Sequence, residues 1–461
     1  MRSIQTVQQG WAGRALSIIN GVIIFGFSAT LVLIPEAYWW FGFAAFVSSL
    51  LGCAALVIYR QSPGIYTHDD YKLVGALVFF GSVWWWSVLG GNSLPLVAYE
   101  GFHRLHFWPF IAAFFLLAVR VFTPSLHWLW AGVCCGALGT GVIAIYERVV
   151  IGLERADNGI NAIPFGNLSL LMAVLSLVAA IYYFQQRRQF YSWLLVLAIS
   201  AAFMGFLASL LSGTRGGWVS IPFLSALLLP ATKNLITHKI RNVALLFIAL
   251  MVVTIIAYPP TGVWLRLVDI FDDIYQYFIN DDANSSLGVR FELWRAGWTM
   301  FKENPVMGVG EGAVQVWLNR LASENIIYER VANYPQLHSD VIDTLARRGG
   351  VGVISLLLLY IAFAVAFTKK LLQAHNNLRV RLLSISGMMV IIAFFDFGLT
   401  QAMFRDLRAF SGFLGFSVAI WCCLGLQAQA QSPLASRHKQ AGVGTNAPSA
   451  SDPTGGNQSP Q

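Results

Sequence analysis

The run from residue 190 to residue 211, FYSWLLVLAISAAFMGFLASLL, contains no charged side chain. Such a run belongs where water is absent, since roughly 20 apolar residues in an α-helix cross the hydrocarbon core of a bilayer. Its backbone N–H and C=O groups must then be satisfied internally, which leaves helices or closed barrels. Similar runs recur along the chain without the alternating pattern of a lipid-facing strand. Composition agrees: 57% of the 461 residues are hydrophobic and 11% are charged, against about 25% charged in soluble domains. The expectation is an all-α polytopic membrane protein.

The pattern predicts twelve transmembrane helices, near 15–35, 38–59, 73–91, 109–123, 126–146, 165–184, 190–211, 217–230, 243–258, 349–368, 382–402 and 411–428. Four regions follow: residues 1–258 with helices 1–9, a loop at 259–348 with amphipathic helices, residues 349–430 with helices 10–12, and a tail at 431–461. The tail is rich in Ala, Ser, Gly, Pro and Gln, the composition of a disordered cytoplasmic extension. An even number of spans puts both termini on one side. With the N-terminus inside, the inner segments hold 16 Lys and Arg and the short outer segments 6. That asymmetry places both termini in the cytoplasm and exports the loop at 259–348. The formal charge of +8 is therefore a topology signal and not a nucleic-acid footprint. The five cysteines sit in apolar segments without metal-ligand spacing and read as small buried hydrophobes.

The exported loop carries 12 of the 22 acidic residues, and a polar connection of that length is usually functional. Within it, SSLGVRFELWRAGWTMFKENP reads as a helix capped by Ser285 or Ser286 and stopped by Pro305, with Phe291, Trp294, Trp298 and Phe301 at helical spacing. Arg290 and Trp294 share a face of it.

Five polar features gather on the exported side, and each has a plain structural alternative. Arg215 stands in SGTRGGW at a span end, where the glycines, Gly216 and Gly217 among them, let backbone approach a ligand; it could equally snorkel to the interface. Arg290 could bind an anion or only cover aromatic faces. The loop RADNGINAIPFGN holds Arg155 and Asn161, and Asn and Gly are also ordinary turn residues. ENPVMGVGEGA could offer backbone N–H groups to an anion or simply turn the chain. Last, YPQLHSDVID holds His338 with Asp340 and Asp343. A neutral imidazole can accept a proton near pH 7 and a carboxylate can orient it, although a lone His is more often a structural hydrogen-bonder. Release of a diphosphate needs positive charge on the leaving group. A metal would require converging carboxylates, and the adjacent acidic pairs do not converge; arginines with a histidine base fit better.

SGTRGGW, the Arg-x-x-x-Trp of RFELW, NPVMGVGEG and LHSD, in that order between spans, resemble the bacterial O-antigen ligase and polymerase superfamily, with ERADNGINAIPFGN similar to an earlier loop of the ligases. The resemblance covers most of residues 10–425. It implies a GT-C-like membrane glycosyltransferase without metal or other cofactor. It further implies transfer of polysaccharide from undecaprenyl-diphosphate-linked O-antigen to a hydroxyl of lipid A-core oligosaccharide, with inversion, on the periplasmic face of the inner membrane. Arg215 and Arg290 would hold the diphosphate and His338 would activate the acceptor. Arg155, Asn161, Gly216, Gly217, Trp294 and Asp340 would line the substrates. Partners besides these substrates would be membrane lipids, with no nucleic acid. An O-antigen polymerase, a protein O-oligosaccharyltransferase and, from another class, a lipid-linked sugar transporter remain as alternatives.

Overall fold

A computed structural model describes residues 10–58, 66–90, 106–186, 192–214, 216–232, 263–280, 282–374 and 377–429. Among them the secondary structure is helical, with no strand. The longer helices are α1 (Trp11–Thr30), α2 (Ala37–Ile58), α3 (His68–Gly90), α4 (Trp108–Val121), α5 (Leu126–Ile145), α6 (Ala162–Gln186), α7 (Ser192–Leu211), α8 (Ser220–Thr232), α9 (Val263–Ile279), α10 (Ser286–Glu303), α11 (Val314–Ser323), α12 (Asp340–Gln373), α13 (Leu378–Thr400) and α14 (Leu407–Gln429). Nine helices among the described residues are long and apolar enough to cross a membrane, and α4 and the segment around α8 are shorter apolar helices. The span expected at 243–258 lies outside the described residues.

Helices α6 and α14 form the centre of the bundle: 89% of the residues in their apolar stretches are buried, against 28% for α2, which presents its apolar side chains outward as a lipid-facing helix does. Helix α6 packs along α7, α13 between α12 and α14, and α12 also along α3. That arrangement gathers the ends of α3 and α13 and the starts of α12 and α14 in one place.

The segment from α9 to the start of α12 builds a second, smaller core. Leu293, Ala296 and Met300 of α10 pack on Leu318 and Leu321 of α11 and on Leu337. Ser285 caps α10 by accepting from the Gly288 N–H at 3.0 Å, as the sequence predicts, and the helix ends at Glu303, ahead of Pro305. The aromatic spacing is not its buried stripe, however. Val289, Leu293, Ala296 and Met300 turn inward, while Trp298 is 50% exposed. Gly297 explains the difference: a Cβ there would stand 2.5 Å from the Ile342 side chain, so α10 approaches α12 too closely for aromatic rings on that face.

A polar helical piece precedes the tenth span, whose apolar part starts at residue 349 as expected. Helix α12 starts at Asp340 and breaks at Gly349, whose φ of 60° and ψ of −156° are open to glycine without strain. The first piece, Asp340 to Arg348, carries polar chemistry; the second is the apolar span.

Candidate active site

His338 precedes α12 with φ 51°, one of the few non-glycine residues in the left-handed region. That conformation costs roughly 1–2 kcal/mol and persists only where neighbours over-determine it. They do so here. The Leu337 N–H donates to Asp343 Oδ1 at 3.2 Å, Arg347 Nη2 donates to the Pro335 carbonyl at 3.0 Å, and Arg347 Nε pairs with Asp343 Oδ2 at 2.8 Å. The strained backbone aims the imidazole at the end of α13, where Nδ1 lies 2.6 Å from Oε1 of the buried Gln401. An amide oxygen accepts, so Nδ1 carries the hydrogen and Nε2 holds the lone pair. No hydrogen bond reaches Nε2 among the described residues. The Tyr334 ring stands edge-on to the imidazole, with centroids 5.5 Å apart. Burial pushes the His338 pKa below its ordinary value and the Arg290 charge adds to this, against opposing effects of Gln401 and Asp343. The ring is thus held neutral at pH 7, as a proton acceptor must be.

The two carboxylates of the motif do other work. Asp340 is buried, and its Oδ1 accepts from the Phe404 N–H at 2.8 Å, tying α12 to the turn Met403–Arg405. Asp343 belongs to a charge cluster. Glu311 receives Arg348 through Nη2 at 2.6 Å and Arg405 through Nη1, and Arg347 approaches within 3.6 Å. The Arg348 guanidinium lies over the Trp84 ring, 3.9 Å from its centroid. Burial alone would raise the Glu311 pKa, but Arg405, Arg348 and Arg347 outweigh it and hold the carboxyl well below its usual range.

This cluster explains the glycine-rich turn. Its N–H groups do not await an anion: Gly308 donates to the Asn304 carbonyl, Val309 to Ala346, Gly310 to Arg347 and Glu311 to Ser87, at 2.8–3.3 Å. A Cβ on Gly308 would stand 2.4 Å from the Arg347 backbone, and one on Gly349 would stand 2.5 Å from the Val306 carbonyl. The turn is therefore docked on the α12 break, where it delivers Glu311 to three arginines.

Arg290 projects from α10. Its Nη1 touches Ser286 Oγ at 3.4 Å, while its buried Nε and the buried Nε1 of Trp294 have no hydrogen-bond partner among the described residues. Burial lowers the Arg290 pKa and Asp273 opposes this. Buried donors without acceptors are costly in isolation, and an anionic or hydroxylic ligand would satisfy these two.

Arg215 lies outside the described residues. Its flanks are fixed. Thr214 Oγ1 donates to the Ala162 carbonyl at 2.8 Å, and a Cβ on Gly216 would meet Thr400 Oγ1 at 2.6 Å. A Cβ on Gly217 would meet Asn167 Oδ1 at 2.5 Å. Gly216 and Gly217 thus let the turn press onto α13 and α6, one residue from Gln401 and hence from the His338 anchor. Arg155 Nε donates to the Ser212 carbonyl at 2.7 Å, docking the loop after α5 on the same turn. Asn161 is exposed and accepts from the Ile163 N–H at 2.9 Å, so it caps α6.

The α13 end thus holds the imidazole through Gln401, the Arg290 charge acts on it from α10, and Gly216 packs on Thr400, the neighbour of Gln401. Gln401, Glu311, Arg347 and Arg348 are the members that sequence reasoning missed, and Arg405 stands near the end of the eleventh expected span with no motif to assign it a role. A lone Gln and Arg405 close to the end of an apolar span were the available signals. Such a site can take a proton beside positive charge, which suits displacement of an anionic leaving group.

Comparison with known proteins adds two findings. Residues 200–357, which hold Arg215, Arg290, Glu311 and His338, match the family model described as O-antigen ligase. An uncharacterized protein of Haemophilus influenzae is 24% identical over 407 residues, covering 87% of this chain and 98% of that protein.

Proposed function

The chain is a member of the O-antigen ligase/polymerase superfamily by its match over residues 200–357, and from that premise we propose that it is an O-antigen ligase. It moves polysaccharide from undecaprenyl diphosphate to a sugar hydroxyl of lipid A-core, without a metal. The observation that carries this reading is the neutral imidazole of His338, fixed through Nδ1 to Gln401 with Nε2 open, beside the unpaired donors of Arg290 and Trp294.

In the proposed step the acceptor oxygen attacks the anomeric carbon from the face opposite the diphosphate. The anomeric C–O bond breaks, its electron pair leaves on undecaprenyl diphosphate, and the configuration inverts. The hydroxyl proton passes to His338 Nε2. A sugar hydroxyl is a very weak acid, so this transfer comes late, as the leaving group departs. Arg215 and Arg290 hold the diphosphate and stabilise its growing charge. Trp294 and the loop carrying Arg155 and Asn161 shape the walls, Gly216 and Gly217 allow the close turn, and Asp340 acts indirectly by holding the 403–405 turn. The fold is of the GT-C-like kind. Both termini are cytoplasmic, the loop from 259 to 348 is periplasmic, and the enzyme resides in the inner membrane.

The test supplies purified protein with lipid-linked O-antigen and lipid A-core in EDTA. Glycan-bearing lipid A-core is the expected product, and His338→Ala or Arg215→Ala should abolish it while the variants purify and melt as the wild type does. Longer lipid-linked chains would identify a polymerase instead. Lipid crossing proteoliposomes without transfer would make the chain a transporter, and near-normal transfer by either variant would remove that residue from the mechanism.

A further inference from the structure

A concavity opens on the face of α10 opposite Arg290. Residues 292 and 295 are two and five positions beyond Arg290, so they face away from the Arg290 side of the helix. There α9, α10, α11 and the turn Glu329–Asn333 enclose an open groove of about 930 Å³. That volume is at the upper end of small-molecule sites.

The groove is built and not incidental. Its floor is Glu292, 1% exposed, whose carboxylate accepts from the Tyr277 hydroxyl at 2.7 Å and from the Tyr328 N–H at 3.1 Å. The one buried charge is therefore already satisfied and serves to fix two aromatic residues on the groove's rim. Asn319, Asn325 and Asn333 line the remainder as exposed amides. Arg295 is 3.7 Å from Glu292, so the lining offers no uncompensated cation and would not retain a diphosphate. Exposed aromatic faces with neutral amide donors and acceptors suit a hydroxyl-rich ring, which presents C–H faces to one and O–H groups to the other. Asn333 lines the groove, and the next residue, Tyr334, stands against His338.

We infer that this groove binds a neutral saccharide chain some rings away from the reacting sugar, with Tyr328 as its aromatic platform and Asn319 and Asn333 as its hydrogen-bonding wall. The inference rests on the ligase reading for its supply of glycan, but binding needs no turnover. Two sources share the chemistry: the O-polysaccharide of the donor and the core oligosaccharide of the acceptor.

The full-length protein in detergent is titrated with O-polysaccharide freed by mild acid from its lipid diphosphate, and separately with core oligosaccharide freed by mild acid from lipopolysaccharide that lacks O-antigen. One of them should bind, and Tyr328→Ala and the double variant Asn319→Ala/Asn333→Ala should each weaken it about tenfold. Tyr328 is 44% exposed, so its truncation leaves the core intact. The saccharide that binds names the source. Saccharide binding without any glycosyl transfer would uphold the groove while the ligase reading fails. Transfer by a protein that binds neither saccharide, or unchanged binding by both groove variants, would overturn the groove alone.

Discussion

Helix α3 carries a buried charge cluster at each end, about 25 Å apart over the residues from Asp70 to Ser87. At its start, Asp70 pairs with Arg120 at 2.8 Å, accepts from the Trp421 indole at 2.7 Å and takes both donors of Thr67. Arg120 also lies over the Trp421 ring at 5.5 Å. One acid meets one base, the carboxylate also accepts from Thr67 and the Trp421 indole, and neither side chain is more than 4% exposed. At the other end, Arg348 lies over Trp84 in the same manner, but three arginines share Glu311 and Asp343. A balanced pair only holds helices together. The second cluster sets three arginines against Glu311 and Asp343, one positive charge in excess, a field that would favour an anionic substrate. Similar parts thus serve as a clasp at one end and as an electrostatic wall at the other.

The largest effect should follow from unbalancing the second cluster further. Glu311→Gln leaves three buried guanidiniums facing Asp343 alone, and breaking a buried pair in this way costs about 3–5 kcal/mol. Thermal unfolding of the purified variant should show a marked loss of stability. Glu324→Gln, which breaks the exposed i,i+4 pair with Arg320, should melt as the wild type does. Equal melting of the two variants would mean that the cluster does not hold the Gly-rich turn on α12.

The clasp should tolerate replacement where the wall does not. Asp70→Leu alone strands Arg120 and should destabilise the protein by a similar 3–5 kcal/mol. Adding Arg120→Met should recover most of that, since an apolar pair of similar volume often matches a buried ion pair. The recovery should fall short by about 1 kcal/mol because Asp70 also receives Thr67 at the start of α3. Glycan transfer by this double variant should equal that of the wild type. Lost transfer in a stable double variant would show that the remote cluster also reaches the reaction.

The two clusters also mark the limit of what the sequence discloses. Among the described residues the apolar runs forecast the helices they fall in, because span length is set by the bilayer and needs no knowledge of partners. His338 and Arg215 stood out as charges beside apolar runs, and Arg290 by sharing a helix face with Trp294. The partners did not. Glu311 and Arg405 are 94 residues apart, and each looked like a loop charge. Arg347 and Arg348 appeared to precede the tenth span, whereas they lie inside α12 just before its break. The carboxylate expected to orient the histidine proved to be an amide 63 residues further on. Pairing across helices depends on the packing of α12 between α3 and α13, and no local pattern encodes that.

The finest test concerns that amide. With His338 as the base, kcat/KM should depend on the neutral ring: full activity above its pKa, lost as pH falls through it. Burial and Arg290 hold that pKa below 6.5, so the wild-type acid limb should lie below pH 6.5. Gln401→Glu places a carboxylate at the 2.6 Å contact with Nδ1. An opposite charge so close favours the imidazolium and should move the acid limb upward by about one pH unit or more. Rates at pH 8.5, where both rings are neutral, should differ little. The same direction is expected of Arg290→Gln, whose lost cation no longer opposes protonation, although its maximum rate should also fall. An acid limb that stays in place in Gln401→Glu would mean that some other group titrates. One that moves downward would mean that residue 401 does not face the ring. In either case the wall of arginines would be left without the base that it is proposed to serve.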